Sequence, residues 1–496
     1  MNRDRSPFGL VAVFALILPL LSVSACSTNP ATGEQSFTAF MSEQDEIRVG
    51  AEEHPKILKE MGGTYNHPTI QTYVDWVGEK LAKVSDLPNL KFTFTVLNEP
   101  NINAFALPGG YVYITRGLIS LAENEAEMAG VLAHEIGHVT ARHTAQRYSA
   151  AMATNIGLFG ASILGQVFGV PGELNQMAGH FGQLYLQAYS RDQELEADML
   201  AVRYMSRAGY DPRALESFFR KLRQEVSISQ RLRGRPDEDP ADNIMSTHPR
   251  TSDRIAQAIR LARVPPNADP RLGRQDYLAR IDGMLWGDAP EQGVVRGRVF
   301  EHPDLKFRFE VPPGFYLSNS PSQVVAYGPD DTTIVFNQLN QKDASQVSDV
   351  RAYVAAWGGG RLKGVERLTV NGIEAATGSA RINTSEGTRD VRLVAARFAR
   401  DRIYRFLFLT PPGATAKHSE DLRRTTYSLR RMTDAEAAAV KALKLRVITV
   451  NRGDTAENLA AGMPMESFKI DWFRALNGMT PGDALTPGEK VKIVIP

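Results

Sequence analysis

The spacing of apolar positions changes several times along the chain, and each change marks a different kind of element. An apolar run from Phe8 to Val23 is followed by a polar, small-residue stretch over residues 26–41. From Ser42, a helix-capping residue type with Asp45 three positions on, apolar residues fall at helical spacing through Ile57, Tyr73, Val77 and Leu81. Phe92, Phe94 and Val96 alternate with polar residues, as in a half-buried strand. Pro108-Gly109-Gly110 is a turn signal, and Tyr111 to Ile114 reads as the next strand, so the two strands are expected to form a hairpin. Asn124 to Arg142 reads as helix, and so does a run opened by Ser190 and closed near Ala208, with Gly209 as its C-cap. Between them, residues 150–188 nearly lose their charge and become rich in Ala, Gly and Met. That stretch is either a buried helical pair or an apolar lip that meets membrane or unfolded substrate. Residues 227–243 read as a mobile polar loop, Thr251 to Val264 as helix, and 265–292 as a linker.

Beyond residue 293 the two-residue period dominates. Strands are expected at Phe307–Val311, Thr333–Phe336, Val365–Val370, Val391–Phe398 and Ile403–Leu409, with helices near 346–357 and 416–430. Residues 293–440 are therefore expected to form an α+β domain with one open sheet. They carry no metal spacing, nucleophile motif or phosphate loop, and their faint likeness to PsbP/Mog-like sheet domains implies no function. Residues 445–496 return to a strand, helix, helix, strand order, with strands at Arg446–Val450 and Val491–Ile493.

Composition narrows the picture at two points. With 43% hydrophobic and 23% charged residues, the 496-residue chain is of ordinary globular type and long enough for two to four domains. A formal net charge of +1 and the lack of a basic tract with interleaved aromatics leave nucleic-acid binding without support. The only cysteine, Cys26, rules out disulfides within the chain. It stands just after the apolar run, which Arg3 and Arg5 precede, in the order Val23-Ser24-Ala25-Cys26. This reads as a secretory signal over residues 1–25, with an uncleaved signal anchor as the alternative, and it resembles a bacterial lipobox, which implies lipid attachment at Cys26. By resemblance to lipoprotein sorting signals, Ser27 rather than Asp after the cysteine implies the outer membrane, facing the periplasm.

The candidate chemistry lies in the helix Asn124–Arg142, in His134-Glu135-Ile136-Gly137-His138. Residues four apart share a helix face, so His134 and His138 can bind one metal ion. Glu135 is turned about 100° away and can act as a base beside it. Zinc suits this set, and a third ligand is needed. Glu194, on the helix that Ser190 opens, is the natural candidate. Asp198 shares its face and would orient an imidazole from behind. Glu196 is rotated off that face and reads as a solvated charge. His143 is about 140° round the helix from His138 and is not expected to be a ligand. Asn103, Ala104 and Phe105 are either an edge strand that holds substrate or ordinary scaffold. His248 and Arg254 are candidates for stabilising the oxyanion of the scissile carbonyl, with a structural His-Pro turn as the alternative for His248.

These residues in this order resemble the gluzincin family of HtpX, BepA and the CAAX prenyl proteases, over about residues 42–264. The resemblance rests on Asn103-Ala104-Phe105 with Gly109-Gly110, on the five-residue metal motif followed by Arg142-His143, on Ser190-Arg191 with Glu194 and Asp198, and on His248-Pro249 with Arg254. It implies a zinc endopeptidase with His134, His138 and Glu194 as ligands of one ion and Glu135 as base. The lipobox fits the periplasmic, BepA-like branch, which implies misfolded or misassembled envelope proteins as substrates. It also implies that His248 can occupy the open metal position and hold the enzyme latent. The C-terminal half shows none of the helical repeats of that branch. Residues 445–496 resemble a LysM module, which implies either peptidoglycan binding or a structural cap. The expected architecture is multidomain: a mainly α, zincin-type metalloprotease domain with a small β-sheet, an α+β sheet domain, and a small LysM-like βααβ domain. The competing functions are a peptidoglycan-associated metallopeptidase acting on cell-wall peptides and a latent zinc-binding chaperone.

Overall fold

A computed structural model describes residues 26–152, 189–234, 252–261, 269–384 and 387–496. The expectations for residues 1–25, for all but the first three residues of the apolar stretch 150–188, and for His248 lie outside them. Among the described residues, no helix is long and apolar enough to cross a membrane.

The chain opens with a small antiparallel ladder of β1 (Cys26–Thr28) and β2 (Gln35–Phe37). The stretch expected to be a plain tether is therefore a structured hairpin. α1 (Glu43–Glu60) starts on a capping box, in which the Ser42 and Asp45 side chains each accept from the other's backbone N–H. α2 (Pro68–Ala82) buries Ile70, Tyr73, Val74, Val77 and Leu81. It packs beside a three-stranded sheet of β3 (Thr93–Leu97), β4 (Ala104–Leu107) and β5 (Tyr111–Thr115), in the order β3-β5-β4. The expected hairpin is corrected here. β3 and β5 pair in parallel, and the hairpin partner of β5 is β4. All four residues of β4 are buried, so it has no polar alternation to display. The connecting turn needs its glycines: Gly109 and Gly110 have φ of 78° and 91°, and a Cβ on Gly109 would lie 2.7 Å from the Ile47 Cα.

α3 (Arg116–Leu121), α4 (Glu125–Thr140), α5 (Arg191–Arg207), α6 (Ala214–Leu232) and α7 (Ser252–Leu261) build the body around this sheet. The helix α6 includes residues 227–232, expected to be loop; burial of Leu215, Phe218, Leu222 and Val226 carries the helix into that polar stretch. Part of the expected linker is also structured. α8 (Arg274–Ile281) buries Tyr277, Leu278 and Ile281, and β6 (Leu285–Trp286) joins a sheet.

The α+β expectation is met, but with two sheets instead of one. β7 (Val294–Arg296), β8 (Val299–His302) and β9 (Phe307–Glu310) form a four-stranded sheet with residues 430–431. β10 (Tyr316–Asn319), β11 (Gln323–Tyr327), β12 (Thr333–Gln338), β13 (Lys363–Val370), β14 (Ile373–Thr384), β15 (Gly387–Ala399) and β16 (Arg402–Thr410) form an antiparallel sheet of order β10-β11-β12-β16-β15-β14-β13. Phe300, Phe307 and Phe309 from the small sheet pack on Phe336, Tyr404 and Phe406 of the large one. The alternation was legible, but which alternating strands share a sheet was not.

The last segment has the expected strand–helix–helix–strand order: β17 (Leu443–Thr449), helices at Ala456–Ala461 and Lys469–Leu476, and β18 (Lys490–Ile495). It is not set apart from the metal-bearing body. β6 extends its ladder, and Leu445, Phe473, Leu476, Val491 and Val494 lie in the same apolar core as Met128, Leu132, Leu215, Phe218 and Ile281. Lys492 is fully buried there. Its Nζ donates to the carbonyls of Ser120, Leu121 and Ala122 at 2.8, 3.0 and 2.7 Å, capping the C-terminal end of α3. Burial holds its ammonium well below the usual lysine range. All three of its donors are used, which makes a buried lysine tolerable.

Candidate metal centre

The metal motif sits on α4, of which every residue but Val139 is buried. The helix begins where Asn124 accepts from the Glu127 N–H, and Glu125 and Glu127 favour its N-terminal dipole. Such charges need partners inside the fold. Glu125 accepts from Tyr73, Tyr210 and Arg271, and Glu127 accepts from Ser217 and Lys221.

The one-turn spacing brings the Nε2 atoms of His134 and His138 to 2.9 Å from each other. α5 crosses close by, and Gly137 is what permits this: a Cβ there would lie 3.1 Å from the Ala197 carbonyl oxygen and 3.3 Å from its Cα. Glu194 therefore reaches the histidines, its carboxylate oxygens 3.3 Å from His138 Nε2 and 3.7 Å from His134 Nε2. One donor atom from each of the three buried residues lies within 4.8 Å of the others. Asp198, one turn on, is 2.9 Å from His134 Nδ1. A proton held on that nitrogen leaves the Nε2 lone pair facing the cluster. Two imidazole lone pairs and a carboxylate converging in a dry site are a donor set for a divalent cation, and nitrogen with oxygen ligands suits zinc. Glu135 is fully buried on the same helix.

Two neighbours escaped the sequence reading. His143 lies against His138, with Nδ1 to Nδ1 at 2.8 Å, and its Nε2 is 3.2 Å from Glu196 Oε2. The rotation that set His143 aside assumes an unbroken helix. α4 ends at Thr140, and Arg142 adopts a left-handed φ of 57°, which turns the chain back towards His138. Glu196, read as a solvated charge, also accepts from Asn29 Nδ2 at 2.7 Å. Burial pushes its carboxyl up, but hydrogen bonds from His143, Asn29 and Thr32 hold it below the usual range. Tyr189 stacks on His138 with ring centroids 3.9 Å apart, and burial raises its phenol. Arg142 binds Glu46 at 2.8 Å and the Met41 carbonyl at 2.9 Å. Burial pushes Glu46 up to about 7 against the pull of Arg142.

The other candidate residues divide. Ala104 and Phe105 begin β4, which is an edge strand of its sheet, and Asn103 precedes it. The Phe105 ring is buried against Tyr113, with centroids 4.8 Å apart, in a cluster with Met41, Val49 and Ile57. Arg254 falls on α7, with its side chain outside the described residues, as is all of His248. Cys26 begins β1, and its side chain is likewise outside the description.

Two histidines one turn apart, a carboxylate from a second helix and a glutamate beside the first histidine define a metallohydrolase-type centre. Residues 68–262 match the model of Peptidase family M48. The matched segment carries the His134, His138 and Glu194 donor set, which zinc fits. The beta-barrel assembly-enhancing protease of Yersinia pestis is 32% identical over 232 residues, covering 45% of this chain and 45% of that one. The mitochondrial metalloendopeptidase OMA1 of Schizosaccharomyces pombe is 32% identical over 182 residues, 36% of this chain and 52% of that one. The chain thus spans about half the length of the curated relatives it matches. Among solved structures, cyanobacterial PsbP from Synechocystis sp. PCC 6803 aligns over 29% of this chain and 98% of that one, at 12% identity and a TM-score of 0.22, which assigns no fold to this chain.

Proposed function

We propose that the protein is a zinc metalloendopeptidase, anchored through a lipid on Cys26, that hydrolyses peptide bonds of misfolded or stalled envelope proteins at the periplasmic face of the outer membrane. The observation that carries this reading is the buried convergence of His134, His138 and Glu194 beside Glu135 in an M48 segment. His134, His138 and Glu194 would hold the zinc, which would supply Lewis acidity and make water acidic enough to be deprotonated near neutral pH. Glu135 takes the proton of the attacking water and passes it to the leaving amine. Asp198 fixes the tautomer and ring plane of His134, and His143, backed by Glu196, does the same for His138. The main chain of Asn103, Ala104 and Phe105 receives an extended peptide as an added strand. Because the Phe105 ring packs on Tyr113, substrate meets the backbone of this strand and not that ring. His248 and Arg254 are the candidate donors to the oxyanion, and His248 is also the candidate latency residue.

The substrate class draws on two supports: the lipobox, and relatives named for β-barrel assembly. The LysM-like segment is read as a structural part of the metal domain, because its Lys492 and apolar face are spent on packing there. Glu135→Gln tests the mechanism. The variant should retain one zinc per chain and lose casein cleavage by at least about 100-fold. Cleavage at the parent rate would refute the role of Glu135. Release of muropeptides from purified sacculi would replace the substrate class with cell-wall peptides.

A further inference from the structure

The N-terminal hairpin offers more than an attachment point. Phe37 and Phe40 on it are 37% and 39% exposed, and their rings pair edge-on with centroids 6.1 Å apart. Phe37 stands directly opposite Cys26 in the β1–β2 ladder. Ile47, 51% exposed, follows on α1. Of the six exposed large apolar side chains among the described residues, three thus fall within residues 37–47, the others being Trp76, Leu272 and Tyr427.

What covers this face follows from where the chain comes from. The apolar run Phe8–Val23 ends immediately before Cys26, so cleavage with lipidation and retention of the run both bring the bilayer to that residue. There is almost no slack beyond it. The Ser27 hydroxyl accepts from Arg142 at 3.3 Å, and Asn29 donates to Glu196 at 2.7 Å. Three residues of extended chain reach only about 10 Å, so a lipid on Cys26 cannot hold the hairpin away from the membrane. The hairpin is also stiff. Ser27 bonds Thr38 at 2.6 Å, the Asn29 N–H donates to the Glu34 carbonyl at 2.7 Å, and the Phe40 N–H donates to Ser149 at 3.2 Å.

We infer that Phe37 and Phe40 form a lipid-contacting face that enters the interfacial zone of the bilayer beside Cys26 and fixes the orientation of the metal centre to the membrane. The inference rests on the proposed membrane attachment at residue 26, and it adds the second contact that stable anchoring by a single weak element requires. The charged residues flanking Phe37 and Phe40 in the chain are Glu34, Glu43, Asp45, Glu46 and Arg48; Arg48 is paired with Asp45 at 2.9 Å, and Glu46 is buried on Arg142 at 2.8 Å. The contact is therefore apolar and does not depend on anionic lipid.

The test uses the chain from residue 26 on, the form the proposed processing leaves, with Cys26→Ser to remove acylation. It should partition onto phosphatidylcholine vesicles and stay bound in 0.5 M salt, where the Debye length is only about 4 Å. Phe37→Ser with Phe40→Ser should lower the partition about tenfold, whereas Trp76→Ser should leave it unchanged. Phe37→Trp with Phe40→Trp should restore binding and add fluorescence that brominated lipids quench, which a merely misfolded hairpin would not do. Equal partition of the Ser pair and its parent overturns the inference. So does release by salt, binding to sacculi instead of vesicles, or a lipid-independent dimer that the Ser pair dissolves. Labelling of the full chain in cells with a palmitate analogue tests the attachment separately. Absent label with Phe-dependent partition removes the anchor and keeps the face, and the reverse removes the face alone.

Discussion

Asp198→Ala should weaken zinc binding without unfolding the protein. Asp198 Oδ1 lies 2.9 Å from His134 Nδ1, and both side chains are fully buried. The carboxylate keeps the proton on Nδ1 and the ring in plane. Without it, the imidazole can place its proton on Nε2, the atom that faces Glu194 and His138. Loss of such an outer partner costs about 10- to 100-fold in metal affinity, or roughly 1.4–2.7 kcal/mol. Asp198→Asn keeps an oxygen that can accept from Nδ1–H but loses the charge, so the lower end, about tenfold, is expected for it. Competition against a chromophoric zinc chelator measures the constant, in a Glu135→Gln background that prevents self-cleavage. Circular dichroism of the metal-free forms checks the fold. If Asp198 acts through His134, adding Asp198→Ala to His134→Ala should cost almost nothing further. Unchanged zinc affinity in Asp198→Ala, or full additivity of the two substitutions, would refute the reasoning.

Two further outcomes test other parts of the fold. Lys492→Met leaves the Ser120, Leu121 and Ala122 carbonyls without their donor. It should cost about 3 kcal/mol, or roughly 6–12 °C in the metal-domain transition seen by calorimetry; an unmoved transition would mean that residues 443–495 are energetically separate. Burial lowers His302 to about 4 from its ordinary 6.5. The unfolded chain therefore takes up this proton first, so stability is full above about pH 6.5 and is lost as pH falls towards 4. His302→Asn, which retains an acceptor for the Leu305 N–H, should flatten that slope in urea midpoints; an unchanged slope would assign it to other groups.

The parts of the site that could be read from sequence are those that depend on one helix. The His134 and His138 spacing, the Glu194 and Asp198 spacing, and the caps at Ser42, Asn124 and Ser190 are local facts. What stayed hidden depends on chain that returns from far away or leaves the helix. His143 reaches His138 through the left-handed turn at Arg142, and Glu196 finds Asn29 across 167 residues. Asn103–Phe105 was legible as a candidate edge strand, but the pairing was not: β3 joins β5 in parallel while β4 forms the hairpin with it, which no local pattern encodes. Lys492 reads as an ordinary polar position of a two-stranded ladder, and only its partners some 370 residues earlier give it a structural role. Packing of alternating strands into two sheets over 294–431 likewise depends on which apolar faces meet, which periodicity does not encode.

The shared core of the metal domain and residues 443–495 also has a temporal meaning. A chain that crosses a membrane N-terminus first delivers α4 and α5 well before β17 and β18. Until Lys492 arrives, the carbonyls that end α3, two residues before the cap of the metal helix, have no donor from it. The apolar surface under Leu215 and Phe218 lacks its Phe473 and Leu476 cover for the same interval. For the exported peptidase proposed above, the metal helix would be fully packed only at the end of translocation. The order of delivery would hold back a peptidase of the proposed kind while its own chain is incomplete.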